Sequence, residues 1–270
     1  MEFWDIEHIG KVVVAGYRNP PSNYMVADAT TELSQLVAAW RDSDVKAIVL
    51  TGAVRDRYIT HYSVEELVEM GQDESSLRAA AYGLIYGYHT LLRSLAYLDK
   101  PIIVGMTGDT MGCGLELSLN CDIRVAQRGD YVIGFPEVAL GILTGTGSIL
   151  LERCIGHGRA VDFMMRSRTV TPEGALELGI VTEIADDAKS RAIEIATGLA
   201  SQSSTSVIAA KRAINRGAHL PIEEALRVEA EEWLKTIVTP DAMRLMKDYV
   251  SQPFEARRAW IATKGVPHGE

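Results

Sequence analysis

Cysteine is scarce in this chain of 270 residues. The three present, Cys113, Cys121 and Cys154, are odd in number and have no metal-ligand spacing. That excludes a disulfide framework and a thiolate metal centre, and reads as free thiols in a reducing compartment, with Cys121 a core residue. Positive charge is short as well. Against 36 Asp and Glu there are 27 Lys and Arg, and the net charge of −9 argues against a general nucleic-acid surface. An anionic ligand is not excluded, because a few local cations or a helix N-terminus suffice to hold a phosphate. No apolar run reaches the roughly 18 to 20 residues of a membrane helix. The start, Met1-Glu2-Phe3-Trp4-Asp5, has neither the basic nor the apolar region of a signal peptide. Linker-like and low-complexity segments are also missing. The expectation is a cytoplasmic protein with no membrane partner, no nucleic-acid partner and no metal.

What is there is a core-forming composition, 47% hydrophobic and 23% charged, long enough for one large domain or one with a small appendage. Residues 11–17 (KVVVAGY), 46–51 (KAIVLT) and 101–106 (PIIVGM) are short β-branched runs, read as buried strands. Shorter strands are expected at 123–126, 131–133 and 180–184. Between them, Leu33, Leu36, Val37 and Trp40 recur at helical spacing. Ser63-Val64-Glu65-Glu66 has the form of a capping box, and residues 77–96 read as a long helix. Helices are expected at 147–154, 159–165 and 172–178, with Gly179 as a stop, and then almost throughout 187–262. Strands alternating with helices point to an α/β body with largely parallel pairing.

The chemistry concentrates between Lys100 and Gly147. Glu116 and Glu137 each sit in a glycine-punctuated segment, and two carboxylates at one reacting carbon divide the uptake and delivery of a proton. Gly112-Cys113-Gly114 lies between a buried strand and a helix start, where backbone N–H groups are unsatisfied and the dipole favours negative charge. Such a segment fits an oxyanion hole. It equally fits a tight turn whose glycines serve packing, and spacing alone leaves both readings open.

Lys100-Pro101-Ile102-Ile103-Val104-Gly105, Gly112-x-Gly114-x-Glu116-Leu117 and Cys121-Asp122-Ile123-Arg124-Val125-Ala126 follow one another in an order that resembles the enoyl-CoA hydratase/isomerase (crotonase) superfamily. Phe135-Pro136-Glu137, Leu140-Gly141, Gly145-x-Gly147, Gly158-Arg159-Ala160, Ala175 to Val181 and Ala210-Lys211 continue it, and Asn19-Pro20-Pro21 with Val45 to Gly52 precede them. The resemblance implies a crotonase-type spiral of ββα repeats with a helical C-terminal region. Residues 1–195 would form the spiral core with the active site, and 196–270 a helical oligomerisation region building a homotrimer or hexamer.

The resemblance also implies an acyl-CoA substrate, no further cofactor, and a thioester enolate stabilised by two backbone N–H groups. Matched by position, those are the amides of Ile59 and Cys113. Glu116 and Glu137 would then hold and activate water for addition to a 2-enoyl-CoA. Gly112, Gly141, His61 and Tyr62 are candidate substrate contacts, and Arg18, Asn23 and Lys211 candidate CoA ligands; Arg212 and Lys264 are further cations. The chain departs from the family's usual small residues at Tyr58-Ile59-Thr60-His61-Tyr62-Ser63, expected to crowd the acyl end of the pocket, and at Leu143-Thr144-Gly145, which lacks a proline. His61 reads first as structural and second as a proton carrier. These departures keep double-bond isomerisation and C–C bond hydrolysis open, together with a non-catalytic CoA-binding protein.

Overall fold

Hydrophobic runs too dense for one-sided burial set the architecture. In the computed structural model, which describes residues 1–268, they form a six-stranded sheet covered on both faces. The strands are β1 (Trp4–Ile9), β2 (Val12–Tyr17), β3 (Ala47–Gly52), β4 (Ile102–Met106), β6 (Ile123–Gln127) and β9 (Glu183–Ala185), in the order β1-β2-β3-β4-β6-β9. The β1–β2 pair is antiparallel and the others are parallel. A second sheet joins β5 (Thr110–Met111), β7 (Ile133–Gly134) and β8 (Thr169–Val170).

Helices α1 (Ala27–Arg41), α2 (Val64–Gln72), α3 (Glu74–Ala96) and α4 (Cys113–Leu119) fill the crossovers. They are followed by α5 (Gly147–Ile155), α6 (His157–Met165), α7 (Pro172–Leu178) and α8 (Ala188–Ser201). Alternation along each strand splits the core in two. Val13, Ala15, Ile48, Leu50, Ile102 and Val104 face α1, α3 and α4. Val12, Val14, Ala47, Val49 and Ile103 face α8 through Ala188, Ala192, Ile195 and Ala196. The expected boundary between 195 and 196 therefore falls inside a helix packed on the sheet.

The remaining helices are α9 (Ser204–Gly217), α10 (Ile222–Ile237), α11 (Pro240–Ser251) and α12 (Arg257–Ala262). On α10 the only buried residue is Glu232, which meets Lys235 (2.7 Å) and Arg212 (3.7 Å), while Ile222, Leu226, Trp233 and Leu234 are exposed. None of the described helices is long and apolar enough to cross a membrane.

Several expectations shift. The strand expected at 180–184 shrinks to Glu183–Ala185, because Arg124 takes the Ile180 carbonyl (Nε, 2.6 Å) and holds that segment off the ladder. The one expected at 131–133 is Ile133–Gly134, since the Val132 N–H donates to Asp109 Oδ1 (3.1 Å). Edge strand β1 has no apolar run to announce it, as only Trp4 is buried. At Ser63 half of the capping box forms: Oγ accepts the Glu66 N–H (3.2 Å), while Glu66 accepts from Ala27 N–H (3.1 Å) and Tyr62 OH (2.6 Å) instead.

Lys211 ties α9 to the sheet. Its ammonium donates to Asp122 Oδ2 (2.7 Å), the Lys100 carbonyl (2.9 Å) and the Leu95 carbonyl (3.4 Å). Burial pushes the Asp122 carboxyl up and Lys211 pulls it back. Replacing Lys211 with Met removes that cation and leaves the buried carboxylate on the Ile102 N–H (2.7 Å), at a cost of about 3 kcal/mol. Chemical denaturation is expected to show this loss, and the Lys211→Met, Asp122→Asn double variant to recover part of it.

Candidate active site

The chain turns from β5 into α4 at Gly112, with φ 49° and ψ −123°, a conformation that suits glycine. A Cβ there would lie 2.5 Å from Glu137 Oε1, so the second carboxylate rests directly on this turn. Cys113 opens the helix, and among the described residues its N–H has no acceptor within the chain. At Gly114 a Cβ would overlap the Ile59 carbonyl oxygen, which places the Ile59 backbone against the first turn of α4. The Ile59 N–H likewise has no acceptor among the described residues. Two unspent amides on touching backbones are the kind of donor that a developing oxyanion uses.

The segment carrying Ile59 is clamped from both sides. Asn23, at φ 58° and fully buried, donates through Nδ2 to the Tyr58 carbonyl (2.5 Å) and accepts the Asn19 N–H at Oδ1 (2.6 Å). The Thr60 N–H donates to Asn23 O (3.3 Å), and the Met111 N–H to Thr60 O (2.9 Å). Thr60 Oγ1 is used on Ser22 O (2.8 Å) and Tyr62 OH on Glu66. His61 alone of this group stays beside Gly112, its ring stacked on Tyr24 at 4.1 Å and its Nδ1 2.6 Å from Tyr62 O. The crowding expected of Thr60 and Tyr62 is thus relieved by hydrogen bonds to the scaffold.

Glu116 lies one turn into α4 and is 3% exposed. Its Oε1 accepts the backbone N–H groups of Thr146 and Gly147 (2.7 Å for the latter) and the Thr146 hydroxyl (3.3 Å). Oε2 accepts the Tyr88 hydroxyl at 2.9 Å. The carboxylate therefore caps α5, whose Thr146 makes no cap of its own, at the end where negative charge is favoured. The loop before it needs no proline: Thr144 Oγ1 accepts the Ser148 N–H (3.1 Å), and His89 Nε2 lies 3.0 Å from the Gly145 carbonyl.

Glu137 contrasts with it. Its Oε2 is buried with no hydrogen-bond partner among the described residues. Burial, and secondarily the Glu116 charge, push its carboxyl up to about 7. The Cys113 thiol is also raised well above its ordinary value, by burial and then by Glu116 and Glu137, so it stays protonated and is no nucleophile.

Matching residues 8–254, the family model described as enoyl-CoA hydratase/isomerase covers this whole arrangement. The chain belongs to the enoyl-CoA hydratase/isomerase family. It is 29% identical over 252 residues to a short-chain-enoyl-CoA hydratase of Clostridium acetobutylicum, covering 92% of this chain and 94% of that one. A putative enoyl-CoA hydratase/isomerase of Bacillus subtilis is 28% identical, over 87% and 88% of the two chains. Among solved structures, the enoyl-CoA hydratase of Bacillus anthracis superposes with a TM-score of 0.84 at 25% identity, covering 92% and 96%. The crotonase-type fold expected from the motifs is thus the fold of the chain.

Within this family frame, not every named residue reaches the cleft. Ile59, His61, Gly112, Cys113, Glu116 and Glu137 gather around the start of α4. Gly141, at φ 76°, is exposed at the end of the turn that follows Glu137. Asn23 and Lys211 are corrections: both are spent on the scaffold, with no donor left for CoA. Arg212 pairs with Asp99 (2.5 Å), Lys264 lies over the Trp260 ring, and Arg18 is exposed beside Asp5 (3.3 Å). Tyr88 went unnoticed in the sequence. Its signal was phase: among the tyrosines of α3 it shares the heptad face of Leu91, Leu92 and Leu95, which are buried.

A carboxyl raised from 4.5 to about 7 is neutral in the fold where it would ionise in the unfolded chain. Its contribution to stability is present below the ordinary value and lost as pH rises through about 7. Thermal melts at pH 8 are expected to place Glu137→Gln a few degrees above wild type. The gain should vanish at pH 4, where the acid is neutral in both states.

Proposed function

We propose that the chain is an enoyl-CoA hydratase-like lyase, adding water across the double bond of a 2-enoyl-CoA thioester. The observation that carries this reading is the pair of carboxylates at one helix start, Glu116 on α4 and Glu137 against Gly112, beside the free amides of Ile59 and Cys113. The thioester oxygen would sit between the two amides, and water would be held and relieved of its proton by the carboxylates. The hydratases of Clostridium acetobutylicum and Bacillus anthracis support it by their similarity along nearly the whole chain. A second reading, double-bond isomerisation, is favoured by the unpartnered Glu137 oxygen, which suits a carboxyl that shuttles a proton between carbons. The substrate itself is the only CoA species the chemistry needs, and no further cofactor enters it.

Exposed apolar side chains on α10 and α11, among them Leu226, Trp233, Met243 and Val250, fit burial between copies of this chain in a trimer or hexamer. Light scattering on the purified protein is expected to give a mass three or six times that of the 29.5 kDa chain. For the reaction, Glu116→Gln and Glu137→Gln are each expected to lower crotonyl-CoA hydration on the order of a hundredfold or more. Unchanged rates in both variants would overturn the two-carboxylate reading, and 3-enoyl-CoA conversion without hydration would move the chain to the isomerases.

A further inference from the structure

The two carboxylates are not equivalent, and one of the donors that set them apart comes from a residue outside the motifs quoted above. Glu116 receives three donors at Oε1, from Thr146 N–H, Thr146 OH and Gly147 N–H, and one at Oε2 from Tyr88. An ionised carboxylate offers about four acceptor positions, two on each oxygen. Oε1 is therefore saturated, and Oε2 keeps one free position whose direction is set by where the Tyr88 hydroxyl already sits. Across the site, Glu137 Oε2 has no partner at all among the described residues.

We propose that Tyr88 is a positioning residue: by donating to Glu116 Oε2 it fixes the orientation of that carboxylate, so that its remaining acceptor position aims one water. The inference rests on the hydratase reading, in which one carboxylate holds the water and the other carries the proton. In the forward direction, Glu137 as carboxylate accepts a proton from the water held on Glu116 Oε2, and that O–H bond breaks. The water oxygen bonds to Cβ while the π electrons move to the thioester oxygen, held by the Ile59 and Cys113 amides. When the enolate collapses, Glu137 returns the same proton to Cα, and both carboxylates end as they began. Nothing else is consumed.

The local structure favours this division. Tyr88 donates rather than ionises, because burial first and the Glu116 charge second hold its hydroxyl far above the ordinary phenol value. Its ring packs against Gly145, where an added Cβ would lie 3.0 Å from ring atom Cε1, and Gly145 belongs to the loop that delivers Thr146 and Gly147. Glu137, poised near neutrality, is populated in both protonation states at working pH, as a carrier that both takes and gives requires.

Two measurements on the same proteins test the assignment: hydration of crotonyl-CoA, which needs the aimed water, and exchange of the α-protons of butyryl-CoA into D2O, which does not. Tyr88→Phe deletes only the hydroxyl and keeps the ring against Gly145. It is expected to lower hydration kcat about tenfold, the scale of losing a donor to a charged group, with KM within about twofold. Its α-proton exchange should stay within about twofold of wild type. Glu137→Gln should lose both activities. An equal fall of both activities in Tyr88→Phe, or no fall in hydration, overturns the positioning role while leaving the hydratase reading intact. A wild type that exchanges α-protons but hydrates no enoyl-CoA overturns the hydratase reading, and the aimed water with it.

Discussion

Removing the Glu116 carboxylate from water costs several kcal/mol unless its lone pairs find donors. Those donors come from separate elements: the start of α5, the loop before it, and Tyr88 on α3. The charge thus sets the relative placement of three helices. Gly145, Thr146 and Gly147 have to arrive as a loop whose amides point at α4. Thr144, just before that loop, and His89 on α3 are engaged in keeping it there. A buried carboxylate is serving as the cap of a neighbouring helix, so on the proposed hydratase reading the stability of α5 and the chemistry draw on one group.

Facing it, the Ile59 segment is held by a different device. Asn23 satisfies the Tyr58 carbonyl and orders the turn from Asn19, while Thr60 bridges that turn and β5. With these clamps, and with its side chain buried in the core, the backbone of Ile59 lies against Gly114. The identity of residues 60–62 can therefore vary from relatives while the amide remains in place. His61 is the one side chain of the three left at the Gly112 turn.

Long, dense hydrophobic patterns made the large sheet legible. β2, β3 and β4 are buried on both faces, and no other element accommodates such runs. Two-residue strands such as β5 and β8 are invisible by period, because they exist only through pairing partners brought from elsewhere. The same division holds at the site. Glu116, Glu137, Ile59 and Cys113 stood out through motif positions, but Tyr88 comes from a helix whose first half is solvent-exposed and carries no motif. Asn23 and Lys211 misled for a physical reason: a polar residue in a family-like segment reads as a ligand contact until its donors are counted. Here the Lys211 ammonium meets three acceptors and has none to spare.

On the proposed hydratase reading, Glu137 pulls stability and chemistry in opposite directions, whereas Glu116 aligns them. An oxygen left buried without a donor is a standing strain on the fold, relieved by almost any neutral replacement. Replacing the cap of α5 brings no such relief. On that reading, a chain with a neutral residue in place of Glu137 would be a sturdier protein with an intact helix start and a silent site.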